Sequence, residues 1–155
     1  MRNISLTILV MLYFLGNTEH VIAQNKKDSL QRLRWIEGNW QGMDGNNPFY
    51  EIYKFKNDTV LQITSYNWNG TDSSGSHVSD LKRHNNAYYL GDSLNYKVIS
   101  ISDSSILMVP NYKAYNAIFW KKRDVDTWDA ILETKTKTIT YVMKRINHFS
   151  IKKKE

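Results

Sequence analysis

Leu33-Arg34-Trp35-Ile36-Glu37-Gly38-Asn39-Trp40-Gln41-Gly42 changes character halfway along, from helical spacing to strand spacing. Upstream of Gly38, Asp28 or Ser29 can cap a helix whose turns bring Leu30, Leu33 and Ile36 or Glu37 round to one side, while Lys27, Gln31, Arg32 and Arg34 stay in water. Gly38 ends that helix, being free to take the positive φ that follows a helix terminus. Trp40 then opens an alternating pattern with Gly42 and Asp44 on its face. A large indole at the first inward position of a strand is best explained as a plug at the mouth of whatever the strand helps to enclose.

From Trp40 onward no helical period interrupts a succession of short strands. Strands are predicted over 40–44, 49–56, 60–68, 77–83, 87–91, 96–102, 106–110, 117–122, 127–133 and 138–146. The segments between them are clusters of Asn, Asp, Gly and Ser, among them Asp44-Gly45-Asn46-Asn47-Pro48, Asn69-Gly70-Thr71-Asp72, Asn85-Asn86 and Asp124-Val125-Asp126. Neither Greek-key spacing nor an internal repeat is visible. A row of consecutive antiparallel strands exposes two sheet edges unless it closes on itself, so the pattern predicts an all-β, up-and-down barrel of 8–10 strands with a short N-terminal helix.

Ahead of the helix, Met1 to Ala23 reads as a secretory signal peptide. Arg2 supplies the positive start, 4–15 is an apolar run, and Val21-Ile22-Ala23 offers a cleavage site. The run falls short of the roughly 20 residues that span a bilayer, so cleavage is favoured over an uncleaved anchor. The expected organisation is a signal over 1–23, a helix-bearing segment closing the barrel over 24–37, the barrel over 38–147 and a basic tail over 148–155. The destination is periplasmic or extracellular. There is no cysteine. Lipid attachment at an N-terminal Cys is thereby excluded, and aromatic packing has to do what disulfides do in many small exported domains.

The net charge of +6 invites a nucleic-acid reading. Loss of Arg2 and Glu19 with the signal leaves it unchanged, yet much of it is local: Lys152, Lys153 and Lys154 in the tail, and Lys121, Lys122 and Arg123 beside Asp124 and Asp126. An exported protein rarely meets nucleic acid. A solvated tail and a charged hairpin end account for the charge, leaving weak attraction to anionic envelope surfaces as its residual role. No nucleic-acid partner is expected, and a monomer is.

Three segments carry a family resemblance: Leu33 through Trp40, Ile118-Phe119-Trp120-Lys121-Lys122-Arg123 with Asp126-Thr127-Trp128-Asp129-Ala130, and Tyr141-Val142-Met143-Lys144-Arg145. On them the chain resembles the calycin, or lipocalin-like, superfamily, and within it secreted bacterial lipocalin-like domains of unknown function. The resemblance implies a clasp in which the first-strand Trp40 packs against Arg145 of the last strand. Arg145 shares a face with Tyr141 and Met143, and Lys144 points the other way. It also implies that Glu51, Tyr53, Trp120, Trp128, Tyr141 and Met143 look inward as the wall of an aromatic cavity. Alternation alone leaves the inward face open wherever both faces are mixed. One departure matters: the relatives carry a His-Asp-Phe-Pro-like segment where this chain has Asn111-Tyr112-Lys113-Ala114-Tyr115-Asn116, so chemistry resting on that His and Asp does not carry over.

Glu51 is the acid set among aromatics, and the first functional candidate. In an apolar wall its pKa rises or it pairs with a buried cation; the blander roles are a rim position in water or a partner for Arg83 or Arg145. Core packing is likewise the commoner use of such aromatics. No metal-ligand spacing, nucleophile elbow or phosphate cradle is present, so neither catalytic residues nor a metal or other cofactor are expected. His148, after the last strand, is a remote candidate for haem ligation against an exposed tail residue.

The expected function is therefore binding of a small apolar or amphipathic molecule without catalysis. Its rival is a structural or interaction module whose barrel is filled by its own side chains and whose partners sit on the outer face. An enzyme would need a polar interior pair, for which Glu51 and Arg145 are the candidates. Cavity size separates the first two, since a binder should enclose roughly 300 Å³ or more.

Overall fold

The computed structural model describes residues 29–68 and 73–147. Residues 1–28, with the expected signal peptide and the Asp28 cap candidate, and residues 148–155, with His148 and the basic tail, lie outside the described residues. A 3₁₀ helix, Leu30–Ile36, is followed by ten strands: β1 Gly38–Asp44, β2 Asn47–Asn57, β3 Val60–Trp68, β4 Ser73–His84, β5 Ala87–Leu90, β6 Tyr96–Ile101, β7 Ser105–Pro110, β8 Ala117–Lys122, β9 Thr127–Glu133 and β10 Thr138–Arg145. Every strand pairs antiparallel with its sequence neighbours, and β1 pairs with β10, closing the barrel.

The helix is 3₁₀, and its side chains show why. Leu30, Leu33 and Ile36 recur every three residues and all three are buried. At three residues per turn that spacing stacks them in one line, whereas an α-helix would fan them apart. Ser29 caps it, its hydroxyl accepting from the Gln31 amide at 3.3 Å. Surface contacts fix it to the barrel: Arg32 forks onto Asp103 in the β6–β7 turn at 2.9 and 3.0 Å, and the Glu37 carboxylate accepts from the Phe55 amide at 3.1 Å.

Closure is made at Trp40↔Arg145 and Gln41↔Lys144, reinforced by the Ile146 amide donating to the Asn39 carbonyl at 3.0 Å. Gly38 sits at φ +136°, and a Cβ there would collide with the Arg145 guanidinium. Glycine is thus required both by the backbone and by the approach of that side chain. Gly42 makes room for the Phe49 ring and for Met143 Sδ, which a Cβ would meet at 2.8 Å. The Asn85-Asn86 turn has φ of 45° and 64°, the pair of positive values of a two-residue type I′ hairpin.

Inward residues of β1 to β10 form one core with the helix leucines. At the helix end of the barrel Trp40, Phe55, Leu61, Leu81, Ile106, Trp128 and Met143 are buried in one cluster with Leu30, Leu33 and Ile36. The strands that leave this end carry their inward residues up toward the opposite end, where the packing opens.

Candidate functional site

At the packed end the predicted clasp is in place. Arg145 lies over the Trp40 ring with its guanidinium carbon 4.2 Å from the centroid. Its nitrogens donate to three backbone carbonyls, Glu37 at 2.9 Å, Trp35 at 3.1 Å and Val125 at 3.2 Å, and approach Asp126 at 3.5 Å. The indole Nε1 of Trp40 donates to the Ile36 carbonyl at 2.6 Å. One side chain from the last strand and one from the first therefore satisfy the carbonyls where the helix ends, which is what seals the barrel there.

Beneath the seal, Trp128 is fully buried and stands edge-on to four rings: Trp35 at 6.2 Å, Trp40 at 6.0 Å, Tyr53 at 5.7 Å and Trp120 at 5.7 Å. Perpendicular ring pairs at such distances place positive ring edges against negative faces. The Trp128 Nε1 has no hydrogen-bond partner among the described residues. Tyr53 and Trp120, themselves perpendicular at 5.5 Å, form the next layer out.

Above that layer is a cavity of ≈ 220 Å³. Phe49, Glu51 and Tyr53 of β2 line it on one side with Ile63 and Ser65 of β3, Ser79 of β4 and Leu90 of β5. Ile118 and Trp120 of β8, Ala130 and Leu132 of β9 and Tyr141 of β10 face them. Of the six residues expected in the wall, Glu51, Tyr53, Trp120 and Tyr141 line the cavity. Trp128 and Met143 are a correction: both are fully buried, one layer below the floor, because the β9–β10 register pairs them with each other at the sealed end. The sequence reading missed Phe49, Ser65 and Ser79 as lining groups. Phe49 shares the Glu51 face by alternation; the serines become visible only through the cross-strand pairs Glu51↔Ser65 and Ile63↔Ser79.

Glu51 is the charged group of this cavity. It is partly buried and lines the cavity. One carboxylate oxygen accepts from the Tyr53 hydroxyl at 2.5 Å, the other from the Ser65 hydroxyl at 3.2 Å. Burial pushes its pKa above the ordinary 4.5, and the two hydrogen bonds pull it part of the way back. Burial, and then the neighbouring carboxylate, raise the Tyr53 phenol well above its ordinary 10.0. Neither cation considered for Glu51 reaches it. Arg145 is held at the sealed end, and Arg83 is exposed, near Asn86. The ion pairs of the described residues leave Glu51 out.

Near the mouth, His77 lies in the same register row as Ser65 and Glu51, and its ring nitrogen is 3.0 Å from the Ser79 hydroxyl. The β5–β6 and β7–β8 connections are laced together by Asn95 and Asn111: the Asn111 amide donates to the Asn95 carbonyl at 2.8 Å and its side chain to the Leu94 carbonyl at 2.8 Å. No group of three or more His, Cys, Asp or Glu placed to hold a metal occurs among the described residues.

Set against protein-family models, curated proteins and solved structures, the chain matches none of them. Its closed antiparallel ten-strand barrel is consistent with a calycin-like fold.

Proposed function

We propose that the protein is an exported, lipocalin-like, monomeric carrier that takes up a small apolar or amphipathic molecule and performs no chemistry on it. One observation carries this reading: a barrel packed solid at one end keeps a ≈ 220 Å³ space at the other, walled by Phe49, Tyr53, Trp120 and Tyr141. A barrel filled by its own side chains would have spent those large rings on closing it. The volume falls short of the roughly 300 Å³ set above for a binder, yet the barrel is not filled, so the cargo is compact, about ten non-hydrogen atoms. Export rests on the leader read in residues 1–23. Lack of catalysis rests on the interior polar set, one carboxylate with two tyrosines and two serines, which offers no activated nucleophile and no acid–base pair.

Ala130, a small residue in the wall, supplies the test. Intrinsic tryptophan fluorescence should respond to saturable binding of a one-ring aromatic probe such as toluene, since Trp120 lines the cavity. Ala130→Trp, which fills the space, should abolish the response while the far-ultraviolet circular dichroism stays that of a barrel. Equal response in the filled variant would place the probe elsewhere and overturn the reading.

A depression of ≈ 260 Å³ on the outer wall favours the second reading, an interaction module. Leu107, Phe119 and Ile131 form a cross-strand row there on β7, β8 and β9, with Glu133 at its rim.

A further inference from the structure

We infer that the cargo is a compact organic cation, an aryl or alkyl ammonium, whose positive group sits against Glu51 and whose apolar body lies among the cavity rings. This rests on the carrier reading above and narrows it.

The carboxylate is placed as a recognition group. Phe49, Glu51 and Tyr53 succeed one another on one face of β2, so the carboxylate stands midway between a mouth ring and a floor ring, about 7 Å from each along the strand. The floor ring is backed by Trp120 and the mouth ring by Tyr141, which meets Phe49 perpendicularly at 5.2 Å. A buried carboxylate is ordinarily matched by a cation from its own fold, because its desolvation is otherwise uncompensated. Here the described residues supply two hydroxyl donors and no ammonium or guanidinium. Both donors orient the carboxylate, whose side chain lines the space. Such a carboxylate with aromatic rings on either side is the chemistry that holds an alkylammonium ion, by charge and by cation–π attraction together. The net charge of +6 cannot draw a cation in. Selection therefore belongs to the cavity.

The other groups facing Glu51 include no ammonium or guanidinium. They are Tyr53 on its own strand, Ser65 on β3, Tyr141 on β10 and, toward the mouth, His77 on β4, while β5, β8 and β9 present Leu90, Ile118, Trp120, Ala130 and Leu132. Trp40, the β1 register partner, is engaged with Arg145 at the seal.

Phenyltrimethylammonium and tert-butylbenzene have the same shape and differ by one charge, and neither titrates. Binding of each to the purified full-length protein at pH 7.5, followed by tryptophan fluorescence and calorimetry, should favour the cation by about tenfold or more. In Glu51→Gln the ratio of the two affinities should fall to about one. If that variant fails to fold, His77→Gln, which removes the imidazole at the mouth, is read at falling pH in its place: the ratio should drop toward one as Glu51 takes a proton. Equal affinities in the wild type, or a ratio unchanged by Glu51→Gln or by acid, would overturn the cation inference and leave the carrier reading standing. Binding of neither compound would overturn both.

Discussion

Two indoles at the sealed end differ in one respect that experiment can read. Trp40 Nε1 donates to the Ile36 carbonyl, and Trp128 Nε1 finds no acceptor among the described residues. Replacing either by Phe removes similar volume, but only Trp40→Phe orphans a buried carbonyl. Trp40→Phe should therefore cost about 1–2 kcal/mol more than Trp128→Phe in denaturant unfolding. Arg145 holds three carbonyls with a planar fork that a lysine cannot reproduce. Arg145→Ala should lose about 3 kcal/mol, and Arg145→Lys should recover less than half of it. Glu51 works in the opposite direction. Its folded-state pKa is raised, so the fold binds the proton more tightly than the unfolded chain does; the stability this gives is present below pH 4.5 and is lost as pH rises through the folded value. Glu51→Gln should accordingly be more stable than the wild type at pH 7, with the difference gone at pH 4, as urea midpoints at the two pH values would show. A wild-type protein more stable than Glu51→Gln at pH 7 would mean that the hydrogen bonds from Tyr53 and Ser65 outweigh burial.

At the scale of elements, the turns were readable because Asn, Asp and Gly carry their own backbone preferences, and β3, β8 and β9 fall where their sequences place them. The start of β4 was not. Ser73-Ser74-Gly75-Ser76 reads as a loop tip, since small polar residues have little intrinsic strand preference, yet the backbone there pairs with the end of β3 through Asn67↔Ser74 and Trp68↔Ser73. Pairing context overrides propensity. On β6 strict alternation from Tyr96 and Val98 would turn Ser100 inward; a bulge between Val98 and Ser100 shifts the phase, exposing Ile99 and burying Ile101. The helix was legible as helix because of its apolar spacing, while its 3₁₀ form shows only once Leu30, Leu33 and Ile36 are all seen to be buried. As the cap of the sealed end it should carry real stability: Leu33→Ala, at a fully buried position, should cost about 3 kcal/mol in denaturant unfolding. A loss under 1 kcal/mol would show that the helix sits on the barrel without closing it.

Over the whole molecule, closure was legible from the run of consecutive strands, and the Trp40–Arg145 meeting from the residues at the two ends of that run. Register was not, because no side chain in the sequence states which cross-strand partner it will have. That is why Trp128 and Met143 were expected in the wall and lie beneath the floor, and why Ser65 and Ser79 escaped notice. The resulting molecule is asymmetric along its axis: rings and guanidinium packed tight at one end, rings left around a space at the other. Whether that space holds a cargo is read by native mass spectrometry. Protein expressed from the full 155-residue sequence, purified gently and sprayed from ammonium acetate should carry extra mass that disappears on denaturation, or should gain a discrete mass after exposure to a metabolite extract, and Ala130→Trp should do neither. A bare polypeptide mass before and after exposure would contradict the account and turn attention to the row of Leu107, Phe119 and Ile131 on the outer wall.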